Sequence, residues 1–133
     1  MAMMALGNLE EVAAWQKAKQ FTLEIYTVSA QGAFAKDAAM RDQFRADCVA
    51  ILSHIVEGFS KSETGEFAPA LSKANAMTGE VRNRLYTAVD KGYLGKMIFD
   101  HLYVLATETT RAIDELSAFL RKSTAKGGGP SAS

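Results

Sequence analysis

Apolar residues recur at spacings of three and four positions through nearly the whole body of this sequence. Such spacing places them on one side of an α-helix, and the alternation that is typical of a half-buried strand is missing. Only two prolines occur, Pro69 and Pro130. Proline interrupts a helix because it has no amide hydrogen to donate, so the rest of the sequence can form long helices. The sequence therefore predicts an all-α protein.

Four helices are predicted from these apolar stripes and from the residues at their ends. Asn8 and Glu11 have the spacing of a capping box, in which each side chain accepts from a backbone amide near the other residue. Pro69 is tolerated only near a helix start, so the third helix either begins late or bends in its first turn. Lys91 followed by Gly92 is typical of a helix end. The predicted helices cover about residues 8–31, 37–57, 65–90 and 95–122.

The connections between these predicted helices are short, which favours antiparallel packing of sequence neighbours. We therefore expect an antiparallel, up-down-up-down four-helix bundle over residues 9–122, preceded by an N-terminal segment of residues 1–8. The final stretch, "STAKGGGPSAS" at 123–133, contains small and polar residues that cannot bury a core. It is predicted to be a disordered tail.

The balance of charge restricts the classes of partner. Lys+Arg and Asp+Glu are both 15, and the pI is about 6.7, so the chain lacks the positive excess of a strongly basic nucleic-acid binder or membrane anchor. Cys48 is the single cysteine, which excludes an intramolecular disulfide and favours a cytoplasmic location. "MAMMALGN" has no basic stretch of a secretory signal, and no apolar run is long enough to span a membrane.

One long segment, "QFRADCVAILSHIVEGFSKSETGEFAPALSKANAMTGEV", resembles the four-helix-bundle proteins encoded in intervening sequences of bacterial 23S ribosomal RNA genes. Their pattern reads roughly Q-I-x-R-A-x-x-S-I-x-x-N-I-A-E-G, a basic polar loop, E-F, a Leu, an Ala and S-x-x-E. "AWQKAKQFTLEIY" and "KGYL" are similar to further elements, so the resemblance covers about residues 9–122. The matching positions are Gln43, Ile51, Ser53, Ile55, Glu57, Gly58, Glu66, Phe67, Leu71, Ala74 and Glu80.

The resemblance implies a non-enzymatic four-helix bundle that assembles as a ring, commonly a homopentamer, without a cofactor. A relative in fold, the accessory variability determinant of diversity-generating retroelements, is pentameric and binds RNA and a reverse transcriptase through a basic surface. This chain departs from the pattern at four positions of the second and third helices. They are Asp47, Ala50, His54 and Met77.

A polar corner is predicted where the second helix meets the third. Gly58 is expected to let the chain leave the helix, and Glu57 to accept hydrogen bonds from loop amides or hydroxyls. His54 lies one turn before Glu57 and can contact it. Glu80, the second carboxylate on the family pattern, is expected to meet Arg41 or Arg45 across the bundle. We interpret His54, Glu57, Gly58 and Glu80 as a structural polar network.

Metal and nucleophile chemistry have little support in the sequence. Di-iron sites in helical bundles use Glu-x-x-His pairs, and neither His54 nor His101 has a glutamate three residues earlier. His54 and Glu57 alone are too few ligands for a metal. Cys48 lies on an apolar stripe, where a thiol behaves as a small hydrophobic group. We therefore expect no enzyme, and a small metal-dependent enzyme is carried only as a hypothesis to test.

Nucleic-acid binding and self-association are the two hypotheses for function. Candidate phosphate contacts are Arg41, Arg45, Lys61, Lys73, Arg82 and Arg84, with acidic residues interleaved among them. Several aromatic residues lie outside the core stripes and would leave apolar surface on a single bundle, which favours a homo-oligomer. We expect an oligomeric module that binds RNA or a protein partner through a surface formed in the oligomer. The alternative is a protein–protein scaffold with no nucleic-acid contact.

Overall fold

The computed structural model describes residues 8–127, with side chains described to residue 123. A 3₁₀ helix, Leu9–Glu11, precedes five α-helices: α1 Ala13–Ser29, α2 Gly32–Lys36, α3 Ala38–Ser60, α4 Ala68–Asp90 and α5 Lys96–Gly127. No strand occurs in this part of the chain, so the all-α prediction is confirmed. Residues 1–7 of the predicted N-terminal segment and 128–133 of the predicted tail lie outside the described residues. The last helix continues past Lys122, where the predicted bundle ends.

The four long helices pack as a ring in chain order, α1 against α3, α3 against α4, α4 against α5 and α5 against α1. Neighbours run in opposite directions: Lys17 of α1 meets Glu108 of α5, and Glu24 further along α1 meets His101 earlier on α5. Other contacts across neighbouring helices join Arg45 to Ser29, Arg84 to Asp47 and Asn75 to Asp114. The molecule is a four-helix bundle, as the sequence predicts.

The core lies between the four long helices and is continued at one end by α2. Its largest fully buried side chains are Phe21, Ile25, Phe34, Phe44, Ile51, Ile55, Leu71, Val81, Leu85, Leu102, Ile113 and Leu120. All of them except Phe34 follow the three-and-four spacing of the long helices. Their removal from water is the main favourable contribution to folding.

The first helix begins later than predicted. Asn8 makes no side-chain capping bond, and Val12 has an extended backbone with ψ 123°, so α1 starts at Ala13. Val12 is buried in the core and Leu9 packs against it. A separate 3₁₀ turn brings the side chains of Leu9 and Val12 inward. Their burial therefore decides the local backbone, and the predicted capping box does not form.

Both ends of α4 follow from local chemistry. The helix begins at Ala68, with Pro69 in its first turn, so the late start is the correct one of the two predicted alternatives. At the other end the Tyr93 amide donates to the Ala88 carbonyl at 2.8 Å, and the Gly92 amide donates to Val89 at 2.9 Å. These two bonds form a Schellman motif, in which Gly92 has the positive φ of 79° that glycine tolerates.

Gly58 does not end α3, as had been expected, because the helix continues to Ser60. A β-carbon at Gly58 would lie 2.6 Å from Cδ2 of Leu71 on α4, a buried side chain. Glycine is therefore favoured at this position because the Leu71 side chain of α4 approaches α3 closely at the corner, and not because the backbone turns there.

Replacing Gly58 with alanine tests this close approach. Overpacking against Leu71 costs about 1–3 kcal/mol, and the better helix propensity of alanine returns about 0.5–1 kcal/mol. We expect Gly58→Ala to lower the free energy of unfolding by about 1 kcal/mol. Gly79→Ala is the matched control, because no side chain lies within 4 Å of its added β-carbon. It should stabilise by about 0.5–1 kcal/mol. Urea denaturation of both variants shows whether each substitution raises or lowers the free energy of unfolding. Stabilisation by both would contradict the close approach of α3 and α4 at Gly58.

Candidate functional site

The corner between α3 and α4 brings together His54 and Glu57 of the predicted polar network, together with Lys61, which was predicted as a phosphate contact. Glu57 Oε2 accepts a hydrogen bond from Lys61 Nζ at 3.1 Å, and Glu57 Oε1 lies 3.6 Å from His54 Nδ1. The Lys61 ammonium lowers the pKa of Glu57, with smaller contributions from His54 and Lys73. The main partner of the Glu57 carboxylate is thus the Lys61 side chain, and not the loop amides or hydroxyls that were predicted.

Glu80 is not part of this corner. Its carboxylate lies 3.9 Å from Arg84 on its own helix, so the expected contact with Arg41 or Arg45 is wrong. The connection between α3 and α4 comprises residues 61–67, three positions later in the chain than the predicted connection, 58–64. This displacement shifts the register of the two helices, so that Arg84 faces Asp47 on α3.

Asp47 is a buried carboxylate at the centre of a polar network that the sequence did not indicate. Its side chain is only 9% exposed and accepts a hydrogen bond from Gln43 Nε2 at 2.8 Å. Its other carboxylate oxygen accepts from Arg84 Nη1. A buried carboxylate needs such partners, because an unpaired charge in the interior is strongly unfavourable. This network joins α3 to α4 in the middle of the bundle.

A second polar junction lies at the opposite end of the bundle. Asp37 caps α3, since Oδ1 accepts from the Met40 amide at 3.1 Å, and Oδ2 accepts from the Tyr93 hydroxyl at 2.7 Å. The Tyr93 ring also stacks on Phe34 at 5.3 Å. The Tyr93 hydrogen bond lowers the pKa of Asp37 and in turn raises the pKa of Tyr93.

This junction predicts a dependence of stability on pH. Because the folded pKa of Asp37 is lowered, its contribution is present above the ordinary aspartate pKa of about 4 and is lost as the pH falls through the folded value. Because the folded pKa of Tyr93 is raised, its contribution is present below about pH 10 and is lost as the pH rises through the folded value. We expect Tyr93→Phe to lower the free energy of unfolding at neutral pH. The variant should also lose less stability than the wild type as the pH falls into the acid range or rises into the alkaline range. Urea denaturation from acid to alkaline pH measures these changes, and Tyr26→Phe, at an exposed ring, is the control. A Tyr93→Phe variant with the same pH dependence of stability as the wild type would contradict the role of the Asp37–Tyr93 hydrogen bond.

The candidate phosphate contacts do not form one surface. Arg45 donates to Ser29 Oγ and to the Tyr26 carbonyl, and Arg41 donates to Asp42 and to the Ala35 carbonyl. The other four lie elsewhere: Lys61 and Lys73 near Glu57, Arg84 on Asp47, and Arg82 over the Tyr103 ring at 5.5 Å. Arg45 therefore lies where α1 meets α3 and Arg82 where α4 meets α5, so the set is divided between opposite sides of the bundle.

The described residues contain no group of three His, Cys, Asp or Glu side chains that could hold a metal ion. Cys48 is buried, and burial, with the nearby Asp47 charge, raises the pKa of its thiol to about 12. A thiol with such a pKa is not ionised near neutral pH, so Cys48 is unsuited to nucleophilic catalysis. No helix in the described part of the chain is long and apolar enough to cross a membrane.

Two apolar patches lie on the outer surface, on opposite sides of the ring of helices. The first, the α1/α3 patch, comprises Tyr26, Val49, Leu52 and Val56. Val49 and Val56 are 45% and 41% exposed. Arg45 lies one turn before Val49 on the same side of α3, and its guanidinium stacks 4.7 Å from the Tyr26 ring, which locates this strip beside α1.

The second, the α4/α5 patch, comprises Tyr86, Phe99 and Tyr103. The Tyr86 ring lies 5.0 Å from Phe99 and 5.9 Å from Tyr103, so the three rings bridge the two helices, and Tyr86 remains 51% exposed. In a ring ordered α1, α3, α4, α5, the boundary between α4 and α5 is opposite that between α1 and α3. The apolar spacing in the sequence predicts surplus aromatic surface, and the packing of the helices places apolar surface on two opposite sides of the bundle.

These features define an all-helical bundle with surplus apolar surface and, among its described residues, no cluster of three potential metal ligands. The model of the 23S rRNA-intervening sequence protein family matches residues 10–115, which is most of the chain. The chain belongs to this family, and the resemblance described above is confirmed. Searches of curated proteins and of solved structures found no match.

Proposed function

We propose that this protein is a non-enzymatic, cytoplasmic assembly module that associates with copies of itself through its two apolar patches. The observation that carries the proposal is the position of the α1/α3 and α4/α5 patches on opposite sides of one bundle. Apolar surface exposed in this way is typical of association sites, because its removal from water favours binding. The family resemblance adds the expectation of a ring, commonly a homopentamer.

The two patches differ in shape and chemistry, which supports a head-to-tail contact. The α1/α3 patch is mainly aliphatic, whereas the α4/α5 patch is aromatic with Arg82 at its edge. Contact between two different surfaces propagates from copy to copy and closes into a ring when the rotation permits. A two-fold dimer would instead bring one patch against itself.

Light scattering coupled to size exclusion tests the assembly. At micromolar concentration the wild type should have the mass of an oligomer, that is, several times the 14.4 kDa of one chain. Val49→Lys combined with Val56→Lys should reduce it to the monomer, and Tyr86→Lys should do the same. Val104→Lys is the control, since Val104 is 52% exposed on α5 but belongs to neither patch. A monomeric wild type would refute the proposal.

Mixing the two monomeric variants separates the two modes of contact. Each variant retains one intact patch, and the two intact patches are complementary in a head-to-tail contact. The mixture should therefore form a heterodimer but no larger ring. A mixture that remains monomeric would contradict the head-to-tail mode.

Nucleic-acid binding is tested separately with the assembled wild type. The described cations are divided between opposite sides of the bundle, so the proposal is a protein–protein scaffold, and RNA binding stays a prediction from the resemblance. Phosphate contacts weaken steeply with salt. Retention on RNA at about 50 mM salt that is lost at about 200 mM would add RNA to the function, and no retention at the lower salt would exclude it.

A further inference from the structure

A small polar cleft lies between the first turns of α4 and the C-terminal half of α5. It has a volume of about 190 Å³. Its base is apolar, because the lining residues Leu71 and Ile113 belong to the buried core. The remaining walls are mainly polar, and their polar residues are Ser72, Asn75, Asp114, Ser117 and Arg121.

Small side chains leave this space open between the two helices. Asn75 Nδ2 on α4 donates to Asp114 Oδ1 on α5 at 2.5 Å, which fixes the register of the antiparallel pair. One turn further along the boundary, Ser72 lies level with Ser117, and both residues line the cleft. Ala68, one turn before Ser72, is equally small. The cleft therefore extends from the Asn75–Asp114 hydrogen bond toward the beginning of α4.

Asp114 and Arg121 give this cleft two opposite charges. Arg121 Nη2 donates to Ser117 Oγ at 3.4 Å, so the guanidinium turns back along α5. Ser117 is three residues from Asp114, a rise of about 5 Å along the helix. Neither charged group forms an ion pair within the described part of the chain. A carboxylate and a guanidinium thus line one small space, and each can still bind an opposite charge.

Asn75 orients the carboxylate of Asp114 through its Nδ2. Its other amide atom, Oδ1, is buried and accepts no hydrogen bond from the described residues. An unpaired buried acceptor is unfavourable, so the amide does not stabilise the fold on that side. Its favourable polar interaction is the one with Asp114, and Asn75 is therefore a positioning residue for this carboxylate.

We propose that this cleft binds a free α-amino acid with a small side chain. The ligand ammonium donates to Asp114, and the ligand carboxylate accepts from the Arg121 guanidinium, since hydrogen bonds between charged groups are stronger than neutral ones. The volume is that of about six water molecules at about 30 Å³ each, which suits alanine or serine. A ligand with a single charge leaves the opposite group of the cleft without a partner.

This inference goes beyond self-association and does not depend on it. Tyr86 of the α4/α5 patch lies eleven residues after Asn75 on the same helix, which is roughly 16 Å along its axis. The cleft and the patch share no residue. Binding can therefore be measured whether or not the chain assembles, and the mass of each sample reports the assembly separately.

Saturation-transfer NMR with the full chain measures the binding of alanine, and a titration gives its Kd. Acetate and ethylamine each carry one of the two charges and should bind at least about tenfold more weakly. Glycine betaine carries both charges but has no N–H group to donate, so it should bind as weakly as they do. No transfer to alanine, or equal affinity for acetate and alanine, would overturn the inference.

Substitutions on α5 test whether these two charges hold the ligand. Asp114→Asn and Arg121→Gln should each weaken alanine binding at least about tenfold. Glu115→Gln and Arg111→Gln are the matched controls, because both residues are exposed on α5 and lie outside the cleft. They should leave the Kd the same, and helical circular dichroism should be unchanged in all four variants. Alanine binding that is unaffected by Asp114→Asn and Arg121→Gln, or equally weakened by the controls, would overturn the inference.

Asn75→Ala tests the positioning role separately. The substitution removes the hydrogen bond to Asp114 but leaves Arg121 in place. It should therefore weaken the binding of alanine and ethylamine and leave the weak binding of acetate the same. An equal loss for all three ligands would contradict the positioning role, because the substitution would then have altered the cleft as a whole.

Discussion

Replacing Phe44 with alanine is expected to lower the free energy of unfolding by about 3–5 kcal/mol. Phe44 is fully buried, and its ring packs edge-on against Phe34 at 5.4 Å. Truncation removes the transfer free energy of the ring and leaves a cavity where α2, α3 and the loop after α4 meet. Urea denaturation at a concentration that gives monomers would measure the change.

Phe119→Ala provides the matched control for this substitution. The same atoms are removed, but Phe119 is 39% exposed on α5, so the expected loss is about 1 kcal/mol or less. The denaturant slope should be the same for both variants, since the surface exposed on unfolding hardly changes. Equal losses would show that Phe44 does not occupy a close-packed core position.

Asp47→Ala is expected to lower the free energy of unfolding by about 2 kcal/mol. Breaking a fully buried ion pair costs about 3–5 kcal/mol, because one charge is left without a partner. The loss is smaller here because the Arg84 side chain is 29% exposed and can turn toward water. Gln43 also loses its acceptor. Thermal and urea unfolding at neutral pH would measure the change.

Glu80→Ala tests the same arginine from the exposed side. The Glu80 carboxylate is 61% exposed and 3.9 Å from Arg84, so its removal should change stability by about 0.5 kcal/mol or less. The double variant Asp47→Ala, Arg84→Ala should cost less than the sum of the single changes, since the two residues interact directly. Strict additivity would contradict the pairing.

The candidate site was predictable only where partners are close in sequence. The contacts of His54 and Lys61 with Glu57 lie within four residues on one helix, so helical periodicity is enough to bring them together. Asp37 could have been identified from its position before α3, as aspartate is a preferred capping residue. The roles of Tyr93 and Arg84 could not have been identified in this way. Their partners, Asp37 and Asp47, are distant in sequence, and these contacts depend on how the helices pack.

Asp47 illustrates this difference most clearly. It is one of the four positions at which the chain departs from the family pattern. The structure buries it because the register of α3 and α4 brings Gln43 and Arg84 to both carboxylate oxygens. A displacement of the connection by three residues along the chain changed which side chains face one another.

The amino-acid sequence by itself determined the all-helical class, the four long helices and the apolar stripe on each. These properties depend on local spacing and on residues such as Pro69 and Gly92, whose backbone preferences act within a few positions. Only the tertiary structure decided the register of α3 and α4, the preference for glycine at position 58 and the opposite placement of the two apolar patches. The physical reason is that these features arise from side-chain packing between helices, which depends on distances across the bundle that local periodicity does not contain.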